Sequence, residues 1–133
     1  MRILFLFCVI LIFMACTDKE QGLGGRFIGN QTSGIGQIDS PITIVIEQKG
    51  DTITGSVTPP FSSDLVPFEN AKINGTSVQF DRKEGQITFR YLAVFNPAES
   101  SLQGEFQPLG CMDPGSGEPC QTDSEGSFRA EKQ

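Results

Sequence analysis

In several segments between residue 25 and the end of the chain, apolar residues recur at every second position, and this period is the strongest constraint on the fold. The longest run comprises Ile87, Phe89, Tyr91, Ala93 and Phe95. Side chains two residues apart lie on the same face of a β-strand, whereas an amphipathic helix needs a period of 3.6. No stretch of this region has helical spacing. The sequence therefore predicts an all-β domain.

Turn signals divide the alternating region into eight segments. Asn74-Gly75 is a strong signal for a two-residue hairpin turn, and Gly50-Asp51 is a second hairpin dipeptide. Most links are short, so consecutive strands are expected to pair antiparallel, and closure would remove exposed sheet edges. We predict an eight-stranded antiparallel up-and-down β-barrel, with a two-sheet β-sandwich as the alternative. The predicted strands lie near residues 25–30, 41–48, 52–58, 67–73, 76–82, 86–95, 101–107 and 125–131.

Residues 1–15 have the composition of a secretory signal helix. Arg2 supplies one positive charge, and the apolar stretch that follows contains no polar group except the thiol of Cys8. Such a stretch spans about 20 Å as a helix, which is too short for a hydrocarbon core of about 30 Å. We therefore predict a signal peptide at residues 1–15, a flexible tether at residues 16–24 and the barrel domain at residues 25–133.

The end of this signal resembles the lipobox of bacterial lipoproteins. The residues concerned are Phe13-Met14-Ala15-Cys16. In that family the cysteine thiol receives a diacylglyceryl group, the signal is cut before it, and the new amine takes a further acyl chain such as palmitate. The resemblance implies a lipid on Cys16 and attachment to a membrane of the bacterial cell envelope. Thr17 rather than Asp follows the cysteine, which by resemblance to lipoproteins of enteric bacteria implies the outer membrane. The alternatives to a lipoprotein are a soluble secreted protein and an uncleaved anchor.

Charge and cysteine content narrow the possible partners. The net charge is −6, and an acidic chain lacks the basic patch that nucleic acid requires, so no nucleic-acid partner is expected. Adhesion to anionic lipid also needs basic residues, so membrane attachment would depend on acylation. Cys111 and Cys120 are expected to form a disulfide outside the cytoplasm, with two free thiols as the alternative.

Motifs for catalysis are absent from the sequence. The chain has no histidine, and phosphate-binding, zinc-protease and nucleophile-elbow patterns do not occur, so we expect a protein that is not an enzyme and has no cofactor. A calcium site in the segment around the two cysteines would use carboxylates, but their spacing does not match a known calcium loop. The alternative is a disulfide-pinned surface loop that serves for recognition. The carboxylates concerned are Asp113, Glu118, Asp123 and Glu125.

The inward faces of the predicted strands are rich in aromatic residues. These side chains either fill the core or, if the barrel is hollow, line a pocket for a small apolar ligand with Tyr91 as its polar group. The ligand-lining candidates are Phe80, Phe89, Tyr91, Phe95 and Phe106. The proline-rich link at residues 58–67 is expected to fold over the open end and bury Phe61, with an exposed binding rim as the alternative.

The start of the first strand resembles the Gly-x-Trp opening of lipocalins and their calycin relatives, avidins included. It reads Gly25-Arg26-Phe27 at the head of an eight-strand run. The resemblance implies a barrel with one closed end, where an arginine on the last strand covers the aromatic ring. Arg129 stands at the matching place, although the alternation points it outward. We expect a lipid-anchored envelope binding protein, or else an envelope inhibitor or accessory protein acting through the cysteine loop; ligand identity and oligomeric state stay open.

Overall fold

The computed structural model describes residues 22–34, 36–110, 115 and 125–133, which form a closed barrel of eight strands. Each strand pairs antiparallel with the next, and β8 pairs with β1 to close the barrel. The predicted all-β up-and-down barrel is confirmed, and the sandwich alternative is wrong. The strands are β1 Gly25–Ser33, β2 Ile38–Lys49, β3 Thr52–Val57, β4 Val66–Asn74, β5 Ser77–Glu84, β6 Ile87–Asn96, β7 Ser101–Leu109 and β8 Gly126–Lys132.

The eight predicted strands correspond one to one with those observed. The main difference is an irregularity in β4, where the register with β5 shifts between Glu69 and Lys72. Asn70 adopts a left-handed backbone there, with φ of 51°, a conformation that asparagine tolerates better than most residues. The bulge lets the Asn70 amide reach Asp81 on the outer face of β5, at 3.3 Å.

The barrel has two ends that differ in their links. We call the end with the β1–β2, β3–β4, β5–β6 and β7–β8 links the odd-turn end. The other, which we call the even-turn end, carries the β2–β3, β4–β5 and β6–β7 turns, and the chain enters β1 there. The two longest links, between β3 and β4 and between β7 and β8, both lie at the odd-turn end.

The even-turn end is closed by the residue that precedes β1 by two positions. Leu23 is only 3% exposed, and its backbone N–H donates a 3.0 Å hydrogen bond to Oε1 of Gln48. Behind it, the fully buried ring of Phe27 meets Phe95 edge to face, with centroids 6.0 Å apart. A closed end beside Phe27 is what the lipocalin resemblance implies. Arg129 does not cover the ring, because it points outward and binds Gln103 and Glu99.

One glycine gives room to an aromatic ring of the core. Gly55 on β3 faces inward, and a Cβ placed there would lie 2.7 Å from Cζ of Phe68 and against the carbonyl oxygen of Val45. The absence of a side chain at this position thus lets Phe68 enter the core from β4.

In the described part of the chain, no helix has the length and apolar character that crossing a membrane requires.

Candidate functional site

A stack of aromatic rings fills the middle of the barrel. Phe68, Phe80, Tyr91 and Phe106 come from four consecutive strands, and successive ring centroids lie 4.3, 4.8 and 5.1 Å apart with interplanar angles of 14–23°. The strand register places Tyr91 opposite both Phe80 and Phe106, so the rings meet at one level. At these separations no molecule fits between the rings. A ligand at this level would have to displace one of them.

All five predicted inward aromatics are buried, which confirms their orientation. Phe80, Tyr91 and Phe106 belong to the stack, whereas Phe95 packs on Phe27 near the even-turn end. Phe89 lies towards the odd-turn end, below the guanidinium of Arg82. The structure thus brings three of the five together and separates the other two. That they line a ligand pocket stays a prediction.

The sequence interpretation missed a buried arginine at the odd-turn end. Arg82 continues the inward register of Val78 and Phe80 on β5 and is only 1% exposed. Its Nε donates a 3.0 Å hydrogen bond to the Tyr91 hydroxyl, and its guanidinium carbon lies 4.5 Å from the Phe89 ring centroid. The sequence contains the pattern that identifies it, since strict alternation along β5 places position 82 on the inward face.

The charge of Arg82 is balanced from the solvent side. Its Nη1 donates a 2.8 Å hydrogen bond to Oε2 of Glu84, whose side chain is 62% exposed. A buried cation is costly unless it is paired, so this contact helps to hold the guanidinium inside the barrel. Because the Glu84 side chain is exposed, another anion that reached Arg82 from solvent would have to replace its carboxylate. The Arg82 guanidinium is therefore a potential anion site at the odd-turn end.

The Tyr91 hydroxyl is held neutral by its surroundings. Burial raises the pKa of the Tyr91 hydroxyl above its ordinary value of 10.0, and the nearby Arg82 guanidinium only partly opposes this. At neutral pH the hydroxyl therefore accepts the Arg82 hydrogen bond as an uncharged group. The cationic charge at this place is not cancelled by a phenolate.

A second polar pair faces the interior from β1 and β2. Gln31 and Ser40 lie directly opposite each other in the ladder and are both buried. The Gln31 Nε2 donates to the carbonyl oxygens of Pro41 and Thr58, at 2.9 and 3.3 Å. Within the described residues, Oε1 of Gln31 and Oγ of Ser40 have no partner. Buried polar atoms are nearly always paired, so these two are available to a water molecule or a ligand.

Four exposed apolar side chains at the odd-turn end form what we call the apolar rim. Ile38 and Ile87 begin β2 and β6, Phe61 and Leu65 lie in the β3–β4 link, and all four side chains are exposed. The expected lid is wrong, because Phe61 is 66% exposed. The Ser62 N–H bonds the Pro59 carbonyl at 3.2 Å, and Phe61 has a left-handed backbone with φ of 60°, which together turn its ring outward.

Several predicted site residues lie outside the described part of the chain. They include the predicted lipid site Cys16 and three of the calcium candidates. Those three are Asp113, Glu118 and Asp123. The two residues of the predicted disulfide, Cys111 and Cys120, also lie outside the described part. Glu125 is described, and its carbonyl accepts a 3.2 Å bond from the Gly34 N–H, but the described residues contain no group of three metal-ligating side chains. The lipid, the disulfide and the calcium site therefore stay predictions.

Comparisons with known proteins add no relative. No protein-family model, no curated protein and no solved structure matches this chain. The closed eight-stranded barrel is compatible with a lipocalin-like fold, and a small barrel of this kind is compatible with a binding protein.

Proposed function

We propose that this protein is a non-enzymatic binding protein of the bacterial cell envelope, anchored by lipid on Cys16, that takes its ligand at the odd-turn end of the barrel. The observation that carries the proposal is the composition of that end. A buried guanidinium and two unpaired polar atoms lie inside, and four exposed apolar side chains form the rim. Fold alone does not assign a function, so the site residues must support it.

The chemistry of this end favours a ligand with an apolar body and one anionic group. The anionic group would replace Glu84 as the partner of Arg82, and a planar guanidinium suits carboxylate, sulfonate or phosphate oxygens. The apolar body would lie against the rim, where Phe61 offers the most exposed surface. The packed ring stack below would form the floor of the site rather than its lining.

The dye 1-anilinonaphthalene-8-sulfonate combines these two features and provides a direct probe. We expect a saturable rise in its fluorescence with the wild type, and affinity about tenfold lower for R82M, which corresponds to about 1.4 kcal/mol. F61S should also weaken binding. E84Q should strengthen it, because the competing carboxylate is removed. L92S, a matched change on the outer face of β6, should have no effect.

Two results would count against this site. One is saturable dye binding that L92S weakens as much as F61S does, which would place the dye on the outer face. The other is an E84Q variant that binds no better than the wild type. The anchor is tested separately by mass spectrometry of the mature N-terminus, comparing the wild type with C16S. A wild-type protein that begins elsewhere than Cys16, or that carries no acyl chains, would refute the anchor.

An envelope inhibitor or accessory protein is the second candidate, and the geometry of Phe61 favours it. The turn bond at Ser62 and a 3.1 Å bond from the Asp64 N–H to Ser62 Oγ hold this link in a defined shape. A preorganised aromatic side chain can serve as an anchor that fills a pocket of a protein partner, because little of its freedom is lost on binding. Assays of purified envelope hydrolases should then show inhibition by the wild type that F61A abolishes and L92A retains.

A further inference from the structure

We infer that the even-turn end of the barrel faces the membrane to which the chain is anchored, so that the odd-turn end points away from it. The inference rests on the proposed lipid anchor at Cys16. It adds an orientation that the anchor alone does not impose, because a long flexible tether would let the barrel turn freely. It also decides which partners can reach the apolar rim.

The chain is held against the barrel where it enters the even-turn end. Leu23 is buried at the closed end, and its N–H is bound by Gln48. One residue earlier, the Gly22 carbonyl accepts a 2.9 Å hydrogen bond from Nζ of Lys132 at the end of β8. The backbone is therefore bound to the barrel from Gly22 onward, and the side chain of Leu23 is buried in it. The tether between the lipid and the even-turn end is shorter than the predicted residues 16–24.

This tether is shorter than the barrel is high. Cys16 and Gly22 are six residues apart and can be separated by at most about 20 Å. The ten-residue β6 rises about 25 Å along the axis when its length of about 33 Å is tilted by about 40°. To bring the odd-turn end onto the bilayer, the tether would have to run back along this whole height. It is too short to do so while Cys16 stays at the lipid.

The two ends of the barrel differ in charge. At the odd-turn end, Asp39 and Asp64 lie in or beside the links, whereas Glu84 and Lys83 there are already paired with Arg82 and Glu69. The even-turn end mixes both signs, with lysines at the ends of β2 and β8. Anionic headgroups repel carboxylates and attract lysines, so the same orientation is favoured.

The orientation identifies the environment of the rim. Ile38, Phe61, Leu65 and Ile87 cannot be covered by the bilayer that holds the protein, since they lie at the far end of the barrel. Their partner must then approach from the aqueous side. It is a soluble molecule or a protein domain of that compartment rather than the anchoring lipid.

The chain has no tryptophan, which allows a direct test by energy transfer to the membrane. The full lipidated protein is prepared as two single-tryptophan variants, D51W at the even-turn end and F61W at the odd-turn end, in vesicles that contain dansyl-labelled phosphatidylethanolamine. We expect transfer from position 51 to be at least about fivefold more efficient, because the two positions differ by about 25 Å in height. A second pair, T76W and I38W, guards against a variant that folds poorly.

The outcomes separate the orientation from the anchor. Vesicles that retain the lipidated protein but show equal transfer from both ends, or stronger transfer from position 61, would overturn the orientation and leave the anchor intact. A wild type that does not float with vesicles would overturn both. C16S supplies the background signal. An insertion of about 20 glycine and serine residues after Glu20 should bring the ratio towards one, and an unchanged ratio would overturn the tether as its cause.

Discussion

The Nε of Arg82 lies 3.0 Å from the hydroxyl oxygen of Tyr91, and both side chains are almost completely enclosed in the barrel. This bond joins the polar odd-turn end to the aromatic stack, because the Tyr91 ring also packs between Phe80 and Phe106. A hydrogen bond to a charged donor, when buried, is worth more than a neutral one at the surface. The pair therefore contributes both to stability and to the position of the guanidinium.

Removal of the hydroxyl should destabilise the barrel. We expect Y91F to lower the free energy of unfolding by about 1–3 kcal/mol, since it leaves the buried Arg82 Nε without an acceptor. R82M removes the charge while keeping much of the volume, so the double variant should be less destabilised than the sum of the two by at least about 0.5 kcal/mol. Urea unfolding measures all three, with the exposed T54V as a control. Strictly additive effects would mean that the two side chains do not interact.

The ionisation of Tyr91 should limit stability at alkaline pH. Burial raises the pKa of this hydroxyl above 10.0, so the folded state resists forming the phenolate more than the unfolded state does. Its contribution is present below pH 10 and is lost as pH rises through the folded-state pKa. Tyr91 is the only tyrosine in the chain, so phenolate absorbance reports this group alone. A native titration midpoint at or below the midpoint in denaturant would contradict the prediction.

Acid should weaken the ion pair between Asp81 and Arg90. Two hydrogen bonds from the Arg90 guanidinium, at 2.9 and 3.1 Å, hold the pKa of Asp81 below its ordinary value of 3.8 against the opposing effect of burial. A carboxylate with a lowered pKa stabilises the fold above its unfolded-state pKa, and this stability is lost as pH falls below about 4.

The D81N variant tests this carboxylate. At neutral pH we expect it to cost about 1–3 kcal/mol, because charge-assisted hydrogen bonds are lost from a buried site. Its stability should also fall less steeply than that of the wild type between pH 5 and pH 2.5, as followed by urea midpoints. D51N removes an exposed turn carboxylate and should change neither quantity. Parallel acid profiles for D81N and the wild type would rule out a contribution from Asp81.

A methyl group at position 55 should not fit. G55A places a Cβ 2.7 Å from the Phe68 ring and against the β2 backbone, and backbone cannot move aside as a flexible side chain can. We expect a loss of about 1–3 kcal/mol from overpacking. G24A is the matched control, because the nearest atoms to its Cβ are 3.7 Å away. Equal stability of the two variants would show that the packing of β2, β3 and β4 around Gly55 can accommodate a methyl group.

The sequence was sufficient for the barrel because its period of two continues through eight segments. Consecutive short-linked strands leave antiparallel pairing as the simplest arrangement, and inward positions such as Phe80 and Tyr91 follow from counting. The same alternation places Arg82 on the inward face of β5. Because charged residues are seldom buried, this inward position was not recognised from the sequence. Periodicity therefore predicts well which face of the sheet each side chain lies on. The prediction fails where a charged residue is buried, as at Arg82.

Other features of the odd-turn end could not be read from the sequence. The outward direction of Phe61 depends on one turn hydrogen bond and one left-handed residue, which no pattern of hydrophobicity encodes. The bulge at Asn70 is a shift in the register between β4 and β5, so it is defined by the pairing of two strands. The unpaired atoms of Gln31 and Ser40 likewise result from two strands coming together. These are tertiary effects, and local sequence does not determine them.

The closure of the even-turn end should depend on one side chain outside the strands. L23A removes a buried leucine that fills this end, and we expect it to cost about 2–4 kcal/mol, as for leucine deletions in other cores. L65A and L92A remove exposed leucines and should stay within about 0.5 kcal/mol of the wild type. Urea unfolding of the three variants gives the comparison. If L23A were as stable as its controls, Gly22 and Leu23 would not be fixed to the barrel, and the short tether that sets the orientation would be lost with them.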